Sequence, residues 1–330
     1  MNNEFFQILT LIIIGLMFGV IFYQTFIPLL YKFKFGQSIR LEGPITHFKK
    51  SGTPTMGGLV IILITLFLWI TTALFNNLLL KENILFFIIL TISILGFSLI
   101  GFIDDYLIIK NKNNNGLSPK LKFLFQIVIS IILYLLIIFK FKTNSINFFG
   151  TNINVSIFYP ILIIICYVGI SNATNLTDGI DGLLAGSSII SIVGIFILSV
   201  NEGNLFVKYF SLSIIIALFS FLLFNCPIAK VFMGDTGSLA IGVSIFSMLV
   251  ILRMEILIIF FGFTYIIETI SVILQVWFFK KTKGERIFKM TPIHHHFELS
   301  GISESIIDIL FWLITFIMTA IGIILGVKLF

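Results

Sequence analysis

The sequence predicts an all-α polytopic membrane protein of about ten transmembrane helices, with both termini on the outer side. Three observations lead there. Hydrophobic residues make up 58% of the 330 and charged residues 11%, with a mean hydropathy of +1.13, whereas a soluble domain carries about 25% charged residues. Apolar runs near the ~20 residues that cross a bilayer recur along the whole chain. Lys and Arg crowd into alternate connections, the asymmetry that orients such proteins.

The elements follow in order. Residues 5–30 form the first apolar run; no basic segment precedes it and no small-residue cleavage site follows, so it reads as a retained helix rather than a signal peptide. The connection after it holds Lys32, Lys34, Arg40, Lys49 and Lys50, which makes it cytoplasmic. Spans two to four are expected at 57–75, 84–103 and 121–139, and the link between the third and fourth carries four more lysines beside the polar "KNKNNNG". Spans at 157–174, 183–200, 205–224 and 238–252 follow, then 255–279, with Glu268, Ser271 and Gln275 at i, i+3, i+7 on one face. The last span is 306–328. Lys230 and five basic residues of "KKTKGERIFKM" complete the cytoplasmic set, 15 of the 21 Lys and Arg. No polar segment is long enough for a separate soluble domain, so residues 1–330 read as one domain. Cys166 and Cys226 have no paired spacing and read as packed thiols.

Alternation of the spans puts five aspartates at one membrane face: Asp104 and Asp105 in "GFIDDYL", Asp178 and Asp181 in "NLTDGIDG", and Asp235 in "FMGDTGS". Acids that only solvate loops spread over both faces, and membrane-edge ionisable groups are costly enough to mark function. Adjacent carboxylates on a helix diverge by about 100°, so Asp104 and Asp105 need separate roles. Asp178 and Asp181 at i, i+3 share a helical face. An EF-hand fails, since the twelfth position from Asp178 is Ile189 and not Glu. Neither a P-loop nor a Rossmann glycine pattern is present. Carboxylates with nearby lysines suit Mg²⁺ on a diphosphate, because a hard cation takes oxygen ligands and offsets charge on a leaving phosphate. His294, His295 and His296 in "PIHHHFEL" diverge on a helix and have no cysteine close by, which favours polar substrate recognition over zinc.

The stretches "GTPTMGG", "GFIDDY", "NLTDGIDGL", "FNCPIAKVFMGDTGSLAIG", "ETISVILQ" and "FKMTPIHHHFELSG" together resemble the bacterial phospho-N-acetylmuramoyl-pentapeptide transferase family, from the first span to the last. The resemblance implies transfer of phospho-MurNAc-pentapeptide from its UDP carrier to undecaprenyl phosphate, giving lipid I and UMP with Mg²⁺, at the cytoplasmic face of the bacterial inner membrane. Carried over by motif, Asp235 would ligate Mg²⁺, Asp105 would support the metal site, and Asp104 would assist the attacking lipid phosphate. Lys50, Asn175, Asp178, Asp181, Asn225 and Phe232 would surround the uridine diphosphate, Lys120 and Lys122 would present cations to phosphates, and His294, His295 and His296 would meet the sugar end. Partners are then the UDP-linked donor, undecaprenyl phosphate and membrane lipid, with no nucleic acid; a homodimer is compatible with such a chain. Two departures stand out: Ile108 where the family usually has Lys, and "ESIIDILFW", with Asp308, where a more basic sequence is expected. The alternatives are a sister enzyme moving GlcNAc-1-phosphate onto the same lipid and, more distantly, a secondary transporter, which would place its polar groups near the midplane.

Overall fold

The computed structural model describes residues 2–32, 52–80, 84–111, 116–148 and 150–329. These residues contain twelve α-helices: α1 (Asn2–Lys32), α2 (Gly57–Phe75), α3 (Ile84–Asn111), α4 (Pro119–Phe141), α5 (Phe158–Thr177), α6 (Leu183–Asn201), α7 (Leu205–Asn225), α8 (Asp235–Ile251), α9 (Ile258–Phe261), α10 (Phe263–Thr282), α11 (Ile293–Glu298) and α12 (Glu304–Leu329). Among the described residues nine are long and apolar enough to cross a membrane. The eighth expected span, α8, is shorter at 17 residues, or about 25 Å at 1.5 Å per residue.

Its shortness goes with its place. Every residue of α8 after Asp235 is buried, so it is the central post of the bundle and meets no lipid of its own. Helix α3 crosses it closely because of Gly101, where a β-carbon would collide with the Asp235 carbonyl. Helices α5, α6, α7 and α2 surround this post, while α1 is mostly exposed and presents Phe5, Met17 and Ile21 outward. Such outward apolar surface is what a helix facing hydrocarbon requires.

The ninth expected span, 255–279, is not one helix. A 3₁₀ turn, Glu255–Leu257, leads into α9, which ends at Gly262 before α10 begins. Leaving α9 at Gly262, α10 packs on α5, α11 and α12. Its Glu268, Ser271 and Gln275 are all buried, so the polar face seen in the periodicity points inward.

One feature departs from the all-helical expectation. Strands β1 (Ser145–Phe148) and β2 (Thr151–Asn154) pair antiparallel, Ser145 opposite Asn154. Arg253 holds this hairpin, donating to the Ser145 carbonyl at 2.5 Å and to the Tyr159 hydroxyl at 3.3 Å.

Candidate active site

Successive helices run antiparallel, so the C-terminal ends of α3, α5 and α7 and the N-terminal ends of α4, α6, α8 and α12 lie at one end of the bundle. That end holds the acidic motifs. The start of α8 organises them. Gly234 precedes it with φ 75° and supplies no side-chain cap, and a buried helix start without a cap leaves N–H groups orphaned. Asp105, one of the buried acids of α3, fills that need. Its Oδ1 accepts from Asp235 N at 3.1 Å, and its Oδ2 accepts from Thr236 N at 3.0 Å and Thr236 Oγ1 at 2.6 Å. Negative charge at a helix N-terminus is favourable.

Asp235 then projects from the first turn of α8 toward α4 and α5. Lys122 of α4 donates to Asp235 Oδ2 and lies 3.9 Å from Asp104 Oδ2. Asn175 of α5 donates to Asp235 Oδ1 at 2.7 Å and to Ser238 Oγ at 2.9 Å. Asp104 is fixed in turn, its Oδ1 accepting from Leu117 N at 2.7 Å. The two adjacent aspartates thus have separate partners, one capping α8 and the other turned to Lys122. Asp178, just beyond α5, is half-buried; desolvation first, then the charges of Asp235 and Asp105, push its carboxyl up to about 8, opposed by a hydrogen bond from the Gly234 N–H.

Other expected site residues hold the framework. Asp181 is buried and accepts from Ala229 N at 2.9 Å. Asn225 ties the same loop down, its Oδ1 accepting from Gly182 N at 2.9 Å and its Nδ2 donating to the Val231 carbonyl at 3.0 Å. Phe232 is half-buried; its backbone N–H donates to the Pro54 carbonyl and its carbonyl accepts from Gly57 N, both at 2.8 Å. The "PTMGG" segment is therefore bonded directly to the strand-like approach to Asp235. Lys120 is exposed at the rim, two residues from Lys122. Lys50 lies outside the described residues.

The three histidines diverge. His294 is fully buried with Nδ1 3.1 Å from Glu268 Oε2, His295 contacts Glu298 at 3.2 Å, and His296 Nδ1 accepts from Lys289 N at 3.1 Å. Helix α11 docks on the "TDGIDG" turn through a small apolar cluster in which Ile293 and Phe297 pack against Ile180, Leu183 and Phe311. Sequence reasoning passed over Thr236, Ser238 and Gly234, which lock the position of Asp235. The signal available was their adjacency to it in "GDTGS".

The donor chemistry suits a hard divalent ion. Asp104 and Asp235 offer carboxylate oxygens around a point that the Lys122 ammonium now shares, so positive charge is already matched there. Among the described residues no three His, Cys, Asp or Glu side chains are placed to hold one ion. Mg²⁺ commonly uses one or two carboxylates and completes its shell from substrate phosphates and water, so this set fits it better than a closed protein cage would.

Comparison with known proteins gives concordant matches. The family model described as Glycosyl transferase family 4 matches residues 86–253, and phospho-N-acetylmuramoyl-pentapeptide-transferase signature 1 matches residues 50–62. A phospho-N-acetylmuramoyl-pentapeptide-transferase of Staphylococcus carnosus is 46% identical over 326 residues, covering 97% of this chain and 100% of the relative. One of Bacillus licheniformis is 44% identical, covering 96% and 97%, and one of Listeria monocytogenes is 46% identical, covering 89% and 90%.

Proposed function

The chain belongs to the phospho-N-acetylmuramoyl-pentapeptide-transferase family, and from that premise we propose how its acidic cluster carries out the transfer. The protein moves phospho-MurNAc-pentapeptide from UDP-MurNAc-pentapeptide to undecaprenyl phosphate, forming lipid I and UMP in peptidoglycan synthesis. A phosphate oxygen of the lipid attacks the β-phosphorus of the donor, a new P–O–P linkage forms, and the bond from the β-phosphorus to the oxygen retained by UMP breaks. The observation that carries the site assignment is the convergence of Asp235, Lys122, Asn175 and Asp104 at the start of α8.

Each group has a task set by its surroundings. Lys122, already between two carboxylates, turns its ammonium to a donor phosphate and offsets the charge gathering on the leaving group. Asp235 would hold Mg²⁺, which when bound would supply Lewis-acid stabilisation at the diphosphate. Asp105 keeps Asp235 in place by capping α8. Asp104 takes the residual proton of the lipid phosphate, a step needed mainly below the second phosphate pKa of about 6. Asn175, Asp178 and Phe232 meet the nucleotide end, with Asp181 and Asn225 holding the loop behind them; His295 and His296 meet the sugar end, whereas His294, expected there from the sequence, is buried behind them. The site faces the cytoplasm, where the nucleotide donor arrives, and the membrane is the bacterial inner one.

The test is direct. Purified protein in detergent with UDP-MurNAc-pentapeptide, undecaprenyl phosphate and Mg²⁺ yields lipid I and UMP in equal amounts, and none with UDP-GlcNAc. Turnover of UDP-GlcNAc instead would assign the chain to the sister activity.

A further inference from the structure

Glu268 is a buried carboxylate that the transfer itself does not use. It lies on α10 with no solvent exposure, and His294 Nδ1 is 3.1 Å from its Oε2. Neither carboxylate oxygen, and neither ring nitrogen of His294, is in hydrogen-bonding geometry with a group among the described residues, so the two side chains meet as a close polar contact. Burying such a group is costly unless it is paired, so the contact is a strong constraint on where the imidazole lies.

The other edge of that imidazole meets the aspartate turn. His294 Nε2 and Cε1 lie against Gly179, and a β-carbon there would collide with Nε2. Gly179 sits between Asp178 and Ile180, and Ile180 belongs to the apolar cluster that seats α11. A continuous line thus runs from Glu268 on α10, through the buried ring of His294 on α11, to the backbone of the 178–182 turn. It also decides which histidine of the triplet goes inward. His295 and His296 are only half-buried, so α11 is rotated with one imidazole turned inward and two toward its more open side.

We propose that Glu268 is a positioning residue for donor recognition: by standing 3.1 Å from Nδ1 of His294 it fixes that ring against Gly179 and locks α11 to the 178–182 turn. This rests on the reading that the turn and α11 receive the nucleotide and sugar ends of the donor. Loss of the lock leaves Asp235, Lys122 and Asp104 undisturbed, since none of them bonds to α10 or α11. The consequence falls on donor binding and spares the chemical step.

The experiment measures donor KM and kcat for lipid I formation in full-length protein, with hydrogen exchange of the same samples. Glu268→Ala should raise KM for UDP-MurNAc-pentapeptide by about tenfold or more with kcat within about threefold, the pattern of a lost binding interaction and of a removed supporting partner. Exchange should rise together in 178–183 and 293–298, with 234–238 unchanged. Glu268→Gln keeps an acceptor oxygen at the same reach and should return KM to within about threefold of wild type. If Glu268→Ala does not fold, Glu268→Asp keeps the charge, withdraws it by one methylene, and should show the same KM rise. An unchanged KM in Glu268→Ala or Glu268→Asp, a Glu268→Gln variant as impaired as the alanine one, or a fall in kcat alone would overturn the proposal. Wild-type protein that makes no lipid I would retire the functional reading itself, an outcome separate from any of these.

Discussion

Replacing Asp105 with Asn tests the claim that a carboxylate of α3 holds the reactive end of α8. The wild-type side chain receives three donors, Asp235 N, Thr236 N and Thr236 Oγ1. An Asn has one acceptor oxygen. If that oxygen takes the two Thr236 donors, its NH₂ faces the Asp235 N–H and leaves a donor unsatisfied, at about 1–3 kcal/mol. The two bonds that survive lose their charge assistance, about 1 kcal/mol each from the difference between charged and neutral hydrogen bonds. The start of α8 is then weakened by about 3–5 kcal/mol, and if the full amount is felt as misplacement of Asp235, kcat falls by about 10²-fold to a few times 10³-fold at 1.4 kcal/mol per decade. The assay pairs kcat for lipid I formation with hydrogen exchange at 234–238. Thr236→Val, which removes one of the three donors, should produce a smaller loss in the same segment, and Thr236→Ser should be close to wild type. Asp105→Asn with kcat within about threefold of wild type and normal protection of residues 234–238 would refute the capping role.

Asp235→Asn should lower turnover by about 10³-fold or more and abolish its Mg²⁺ response, since charge at the diphosphate is what a metal ligand supplies; substantial activity with an unaltered Mg²⁺ profile would remove Asp235 from the metal site. Asp178 has its folded pKa raised from 3.8 to about 8, so its neutral form favours the folded state fully below the unfolded pKa and that contribution is lost as pH rises through the folded value. Thermal melts in detergent should therefore show Asp178→Asn gaining on wild type between about pH 4 and pH 8, and a constant difference across that window would contradict the shifted pKa. Alanine at His295 or His296 should reduce lipid I formation while elemental analysis finds no zinc in either wild type or variant; stoichiometric zinc lost on substitution would make the triplet a metal site. For orientation, a single cysteine at Gly203 in otherwise cysteine-free protein should react with a membrane-impermeant thiol reagent added to intact cells, and one at Ser300 should not. The reverse labelling pattern would invert the topology.

Sequence alone determined the architecture, because crossing hydrocarbon demands long apolar runs whose backbone bonds close within the segment, and that demand is local. The ends of α2, α5, α6 and α7 lie close to where the hydropathy changes, while α3 runs on to Asn111, past the expected end at 103. Gathering the acidic motifs at one end needed only the count of spans between Asp104, Asp178 and Asp235. The same local reading overlooked the 145–154 hairpin, whose strands are four residues each and rich in Asn, too short for alternation to stand out. It also joined α9 to α10, because Gly262 interrupts a run that stays apolar on both sides. Tertiary structure decided which acids act together. Asp104 and Asp105 are indistinguishable as letters, yet one faces Lys122 and the other caps α8, a division set by the angle at which α3 crosses α8 over Gly101. Likewise "HHH" offers three equal imidazoles, and only the buried carboxylate of Glu268, brought from another helix, selects His294 as the inward one. Hydrophobic periodicity is written in neighbours along the chain; the partner of a buried polar group is contributed by a distant segment, 130 residues away for Asp105 and Asp235.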